Sequence, residues 1–286
     1  MKRFFALLIA VCFSHALLAQ VNYALLIGIE NYPEDSGWRH IHAHNDLTLV
    51  KNTLLSNGFD SSCILELRDE QATYASIKDA FKKLAKIAKK GDSVTIFFSC
   101  HGQRITDLNG DEEDGFDEAM IPFDAGVEYG KNGYKGEHHL IDDEINSLMA
   151  GIRKSIGYDG HLLALFDACH SGDTDRDPED IVRSGDFRGI DVDFIIPSSK
   201  RAKTKSTPPK REWSSISACL DYQTNYEIEV NGKTYGRLAY SFCNSWTSNT
   251  SDQALVEAIQ CYYKTLPKTP KGFVQVIDYN LYTPGI

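Results

Sequence analysis

Past its N-terminal segment the chain has no apolar run near the roughly 20 residues that span a bilayer, no CxxC pair and no internal repeat. Those absences exclude, in turn, a second membrane anchor, a disulfide framework and a solenoid. Positive charge is also scarce: 30 Lys and Arg stand against 40 Asp and Glu, for a net charge of −10. A chain of that sign is a poor partner for nucleic acid or an anionic membrane, and it suits a basic substrate. Core-forming material is present in ordinary amount, 42% hydrophobic residues over 286, which is enough for one α/β domain.

The N-terminus reads separately from the rest. Lys2 and Arg3 precede an apolar run from Phe4 to Val11 and a small-residue site ending at Ala19, the order of a secretory signal peptide. A buried first strand or helix is the competing reading of that run. Cleavage after Ala19 leaves Gln20 first and, by removing Lys2 and Arg3, takes the net charge from −10 to −12. Val11 is bulkier than the small residue expected before a lipidated cysteine at Cys12, so the expectation is a soluble product, periplasmic or secreted. Residues 1–19 are thus expected to be the signal and 20–286 a single domain. Its six cysteines, at 63, 100, 169, 219, 243 and 261, fall partly in apolar strand-like runs, where a free buried thiol is the ordinary state.

Short apolar runs alternate with segments of helical period, an α/β pattern. The expected strands are Tyr23–Ile29, Cys63–Leu67, Val94–Ser99, Leu162–Asp167, Ser214–Cys219 and Phe273–Ile277. The clearest helix runs from about Tyr74 to Lys89, with Ile77, Phe81, Leu84 and Ala88 on one stripe, Thr73 as cap and Gly91 as stop. Others are expected at Asp46–Ser56, Asp142–Lys154 and Asp252–Leu266. Two stretches interrupt the alternation: an acidic, Gly-rich loop from Asp107 to Gly136 and a polar segment from Gly172 to Arg211. The latter ends in a basic, proline-containing stretch at 198–211 that reads as an exposed linker.

In an open parallel sheet, ligands bind beyond the carboxyl ends of the strands. Two strands here end in reactive residues: Val94–Ser99 runs into Cys100, His101 and Gly102, and Leu162–Asp167 runs into Ala168, Cys169, His170, Ser171 and Gly172. If the strands are neighbours, His101 and Cys169 meet at one edge. A thiol needs a base to become a reactive thiolate near neutral pH, and an imidazole supplies one. Gly102 and Gly172 leave room for substrate backbone, and the amides of Gly102 and Cys169 are candidate oxyanion donors. From the residues alone, a packed core histidine beside an inert buried cysteine fits equally well.

Phe98-Ser-Cys-His-Gly102 and Asp167-Ala-Cys-His-Ser-Gly172 resemble the His and Cys motifs of the caspase-like cysteine peptidases, in particular the metacaspases. The resemblance continues through Tyr23-Ala-Leu-Leu-Ile-Gly-Ile, His44-Asn-Asp46, Asp111–Glu118 with Pro122 and Asp124, Ile141-Asp-Asp-Glu144 and Ile216–Thr224, in the family's order. It implies the caspase-like fold, a mostly parallel central sheet of about six strands flanked by helices. It also implies catalytic His101 and Cys169, and an S1 pocket in which Asp46 and Asp167, with Ser99 beside them, hold the basic P1 side chain of a polypeptide substrate. A carboxylate pair in a cleft does favour a guanidinium or ammonium guest. Two positions depart from the family: it often has Gly where this chain has Cys100 and Cys where it has Ala43, and neither change removes a catalytic group. His170 is part of the motif and is expected to pack under the loop.

Many metacaspases need calcium, and the matching positions are Asp117, Asp142 and Asp143, a hard oxygen set suited to that ion. A fourth ligand would be Asp175 or Asp177. Asp107-Leu-Asn-Gly-Asp111 mimics the start of a calcium loop, but Glu112 replaces the turn glycine of an EF-hand. The His40/His42/His44 and His138/His139 groups lack the spacing of a helix-borne zinc site, and no matching carboxylate motif accompanies them. No organic cofactor is expected, and the resemblance leans toward a monomer. An enzyme that prefers Arg or Lys could cut itself within 198–211. The competing class is a catalytically silent caspase-like binding module.

Overall fold

The computed structural model describes residues 20–169, 187–190, 192–197, 209–221, 223–270 and 272–284. The expected signal peptide, His170, Gly172, Asp175, Asp177 and all of the basic linker up to residue 208 lie outside them. In chain order the described elements begin β1 (Asn22–Gly28), α1 (Ala43–Ser56), β2 (Ile64–Arg68), α2 (Tyr74–Ile87), β3 (Ser93–Ser99), β4 (Gly102–Thr106), β5 (Phe116–Met120) and β6 (Leu140–Ile141). They continue with α3 (Asp142–Ile156), β7 (His161–Asp167), β8 (Ser214–Ser217), β9 (Glu227–Val230), β10 (Lys233–Gly236), α4 (Arg237–Ser245), α5 (Asp252–Tyr263) and β11 (Asp278–Asn280).

Six strands form the central sheet in the order β11-β8-β7-β3-β1-β2. All neighbours are parallel except β11, which runs antiparallel to β8. The continuous apolar runs of β1, β3 and β7 follow from burial on both faces. Successive β1 residues point to opposite sides: Leu25 and Ile27 pack with Ile77, Phe81 and Leu84 of α2 and Met149 and Ile152 of α3, whereas Ala24 and Leu26 pack with α1, α4 and α5. The predicted cap of α2 is present, Thr73 Oγ1 accepting from Ser76 N at 3.2 Å. No helix among the described residues is long and apolar enough to cross a membrane.

The structure departs from expectation in three places. Residues 273–277 join no ladder among the described residues, and the last strand begins at Asp278. Gln275 explains this, because its buried side chain takes the place of a ladder: Nε2 donates to Ala218 O at 2.7 Å and Oε1 accepts from Tyr226 N at 3.1 Å. The acidic stretch after Asp107 contains a strand, β5, which sits between β4 and β6 in a second, antiparallel sheet. Its charged residues, Asp117 and Glu118, mask the apolar signal. The hairpin β9–β10 and helix α4 also lie where no element was expected, and α4, at nine residues, is shorter than the window in which a helical period is legible.

Candidate active site

His101 and Cys169 leave neighbouring strands at the same height. β3 and β7 pair with Ser99 opposite Asp167, and each reactive residue lies two positions further on. Both are buried, 1% and 2% exposed. Gly102 backs directly onto the cysteine, since a Cβ there would lie 1.7 Å from the Cys169 carbonyl oxygen. Only glycine allows the two strand ends to approach this closely.

The imidazole is fixed by the segment between β1 and α1. Trp38 stacks on the ring at 5.1 Å, and the Tyr32 ring lies 5.4 Å away. Tyr32 Oη donates to Ile121 O at 2.8 Å and accepts from His101 N at 3.2 Å. His101 Nε2 lies 2.8 Å from the Arg39 carbonyl oxygen. A carbonyl only accepts, so Nε2 carries the ring proton and the lone pair sits on Nδ1, which is buried with no hydrogen-bond partner among the described residues. Burial pushes the imidazole down to about 4, Arg188 adding to the fall and the Arg39 carbonyl opposing it. The ring is therefore neutral near pH 7, the state a general base requires. Burial raises the adjacent Cys100 thiol to about 12, which makes it a poor competing nucleophile.

Around the sulfur, Asn225 N donates to Cys169 Sγ at 2.9 Å, and Cys169 N donates to the carbonyl oxygen of Arg188 at 2.7 Å. The cysteine amide thus points at a peptide carbonyl, as an oxyanion donor must. A parallel bridge between Gly102 and Gly189 brings the other expected donor residue alongside the same peptide.

Asp46 at the start of α1, Ser99 at the end of β3 and Asp167 at the end of β7 converge, each 0% exposed. Among them lies the guanidinium of Arg188. It donates from Nη2 to Asp46 Oδ2 at 2.6 Å and to Glu227 Oε1 at 2.9 Å, and from Nη1 to Ser99 Oγ at 2.7 Å and Asp167 O at 3.2 Å, with Asp167 Oδ1 at 3.5 Å. The acids are positioned by the elements the sequence concealed. Gly236 N donates to Asp46 Oδ1 at 2.9 Å, and Ala239 N, in the first turn of α4, donates to Asp167 Oδ2 at 2.7 Å. A helix N-terminus is a natural seat for a carboxylate. Asn225 Nδ2 completes Asp167 by donating to Oδ1 at 2.7 Å.

Burial pushes Asp46 up to about 7; Asp167 adds to the rise, while Arg188 and the Gly236 and Ser99 hydrogen bonds restrain it. Burial also raises Glu227, but Arg188 and His42 outweigh it and hold that carboxyl below its ordinary value. Arg188 is desolvated, yet its acidic neighbours raise it well above the ordinary arginine value. It is charged at every relevant pH.

Every candidate for the dyad, the oxyanion donors and the pocket therefore lies in one cluster. Sequence reasoning missed Tyr32, Trp38, the Arg39 carbonyl, Asn225, Glu227 and Arg188. The Asn231-Gly232 turn, with φ of 54° and 73°, was a legible hairpin signal that would have located Glu227 on β9. Nothing local marks Arg188.

A second cluster lies along β5 and the start of α3. Carboxylate oxygens of Asp107, Asp111 and Asp117 lie within 4.8 Å of one another. Oδ1 atoms of Asp111, Asp117 and Asp142 are buried with no hydrogen-bond partner among the described residues. Burial, then Asp142, Asp107 and Asp143, push Asp117 up to about 8; burial and Asp142 do the same for Glu118, and burial and Asp143 raise Asp142 to about 6. The expected Asp117, Asp142 and Asp143 are thus neighbours, joined by Asp107 and Asp111, although Asp143 Oδ2 also accepts from Asn109 Nδ2 at 2.6 Å. Hard oxygens with unused lone pairs and mutual repulsion fit a divalent cation such as calcium.

The family model of the caspase domain matches residues 21–273. Metacaspase-1 of Candida albicans is 27% identical over 90% of this chain and 66% of its own length. Metacaspase III c of Phaeodactylum tricornutum is 32% identical over 59% of this chain and 48% of its own, and Metacaspase-2 of Arabidopsis thaliana is 33% identical over 69% and 46%. The chain thus spans about half to two thirds of the length of these curated relatives. Among solved structures, protein GSU0716 from Geobacter sulfurreducens superimposes with a TM-score of 0.63 at 22% identity, covering 92% of this chain and 94% of that one, which shows a shared fold. With the caspase domain matched over nearly all of the described chain and the His and Cys strand ends side by side, the protein belongs to the caspase-domain family of cysteine peptidases, metacaspase-type.

Proposed function

We propose that the chain is a cysteine endopeptidase that cuts after Arg or Lys. One observation carries the specificity: a guanidinium lies in a fully buried cage of Asp46, Ser99, Asp167 and Glu227 while its carbonyl oxygen accepts from Cys169 N. In the reaction, His101 Nδ1 takes the Cys169 proton and the sulfur attacks the P1 carbonyl carbon. The Cys169 amide, with Gly102 alongside, stabilises the oxyanion. The imidazolium then protonates the leaving amine, and water, deprotonated by the same nitrogen, frees the acyl group.

Calcium is the cofactor we infer, held by Asp117, Asp142 and Asp143 with Asp107 and Asp111 nearby; when bound it would supply positive charge to offset their repulsion. The signal-like segment from Lys2 to Ala19 supports export. The short edge strand β11, with all three residues exposed, supports a monomer, since such an edge offers little to pair with.

The test is hydrolysis of fluorogenic peptides ending in Arg, Lys or Asp, with calcium or with chelator. Turnover of the Arg and Lys peptides alone is the expected result; cleavage after Asp would overturn the specificity, and full turnover in chelator would overturn the calcium requirement.

The acidic cluster also predicts a pH dependence of stability. Asp117 and Glu118 titrate near 8 in the folded chain and near 4 when unfolded. Between these values the folded state binds more protons, so stability falls as pH rises toward 8. In chelator, the melting temperature should therefore drop from pH 6.5 to 8, and calcium should restore it. A flat profile that calcium does not change would contradict the site.

A further inference from the structure

We propose that the bond between Arg188 and Gly189 is the enzyme's own processing site, and that Arg188 keeps the uncut chain closed by occupying S1. This rests on the peptidase reading above.

The main chain on either side of Arg188 is pinned to the site by isolated bridges, with a bend at Arg188 itself. Phe187 bridges Tyr226 in antiparallel fashion, and Arg188 N donates to Asn225 O at 3.0 Å. Extended peptides commonly dock by such main-chain pairing. The Arg188 carbonyl oxygen accepts from Cys169 N at 2.7 Å. On the other side of that carbonyl, Gly189 bridges Gly102, and a Cβ on Gly189 would lie 2.5 Å from Cys169 Cβ and 3.2 Å from Sγ. The peptide bond following Arg188 therefore passes over the nucleophile, with glycine where any side chain would collide. The four features expected of a bound substrate coincide in one dipeptide: a basic side chain in the acidic cage, a paired amide, a carbonyl at the oxyanion donor and a small leaving residue.

Cleavage requires no outside reagent but water. Cys169 Sγ forms a bond to the Arg188 carbonyl carbon, its proton having passed to His101 Nδ1. The bond to Gly189 N breaks, and that nitrogen takes the proton. Water then hydrolyses the thioester, leaving a new carboxylate on Arg188 and restoring the thiol. That carboxylate is negative among Asp46, Asp167 and Glu227, and the main-chain tether on one side is gone, so Arg188 leaves the pocket. A second polypeptide with Arg or Lys can then enter. Cleavage within 198–211 would not achieve this, because Arg188 would remain joined to Gly189.

The experiment follows the full chain by N-terminal sequencing and intact mass, as wild type, Cys169→Ala, Arg188→Gln and Arg188→Lys, alongside hydrolysis of an Arg-ended fluorogenic peptide. The expected wild-type product is a fragment beginning at Gly189, with peptide hydrolysis rising at least tenfold as it accumulates. Cys169→Ala should stay intact and Arg188→Lys should still be cut. Arg188→Gln should lack this fragment; if that variant does not fold, the wild-type and Arg188→Lys products decide. Fragments beginning only within 199–212 would overturn the proposal, as would an intact wild-type chain that hydrolyses the Arg peptide without delay. The last result leaves the peptidase reading standing; an intact chain that hydrolyses nothing removes both.

Discussion

Replacing Cys169 by alanine is expected to lower turnover of Arg-ended peptides by on the order of 10⁵-fold or more, the scale seen when a nucleophile is lost. The fold should survive, because Cys169 is a small buried side chain whose main-chain bond to Arg188 does not depend on sulfur. His101→Ala should cost a similar factor, and the double variant little beyond either single one, because the two residues move one proton between them. Steady-state kinetics on the three variants, with circular dichroism to confirm folding, tests this. Additive losses would mean that His101 acts by packing against Trp38 rather than as the base. A wild-type chain that binds Arg peptides without cleaving them would instead favour a silent binding module.

Asp46→Asn is expected to reduce kcat/KM for Arg-ended peptides by ~30- to 1000-fold, since removing one partner of a buried charged pair costs about 2–4 kcal/mol. Measured on chain already cut after Arg188, peptides with a neutral P1 residue should lose far less, so the ratio of the two is the measurement; an equal loss on both would show that the substitution acts through the fold. The same carboxyl sets a pH limb. Asp46 lies near 7 in its buried cage and grips a cation only when ionised. In the wild type, once Arg188 has left, kcat/KM for Arg peptides should therefore fall as pH drops through the raised range in which Asp46 takes up its proton. In Asp46→Asn that limb should disappear, leaving the protonation of His101 at lower pH.

Much of this architecture could be read from the chain alone. The sheet was legible because β1, β3 and β7 are buried on both faces and must be written as unbroken apolar runs, and α2 because its stripe, cap and stop agree. The meeting of His101 and Cys169 was legible because parallel strands present their carboxyl ends to one edge, so reactive residues just after two such runs have a common destination. The second sheet was not, because β5 buries Asp117 between acidic neighbours rather than apolar ones. The strand expected at 273–277 failed for the opposite reason: its alternation is real, yet Gln275 spends its hydrogen bonds on Ala218, Asn225 and Tyr226, locking the segment in place without a ladder.

The sequence by itself determined which groups stand where chemistry is proposed: one thiol, one imidazole and two acids at strand and helix ends, each marked by a local pattern of about six residues. Only the tertiary structure decided how they are used. The Arg39 carbonyl selects which imidazole nitrogen is basic, the N-terminus of α4 and the Gly236 amide aim the two acids, and Glu227 adds a third from a hairpin 60 residues beyond the strand that carries Asp167. Arg188 is the sharpest case. Nothing around it in the chain distinguishes it from other arginines, and it acquires its role only because three carboxylates from distant segments bury together and need a cation in a medium that cannot solvate them.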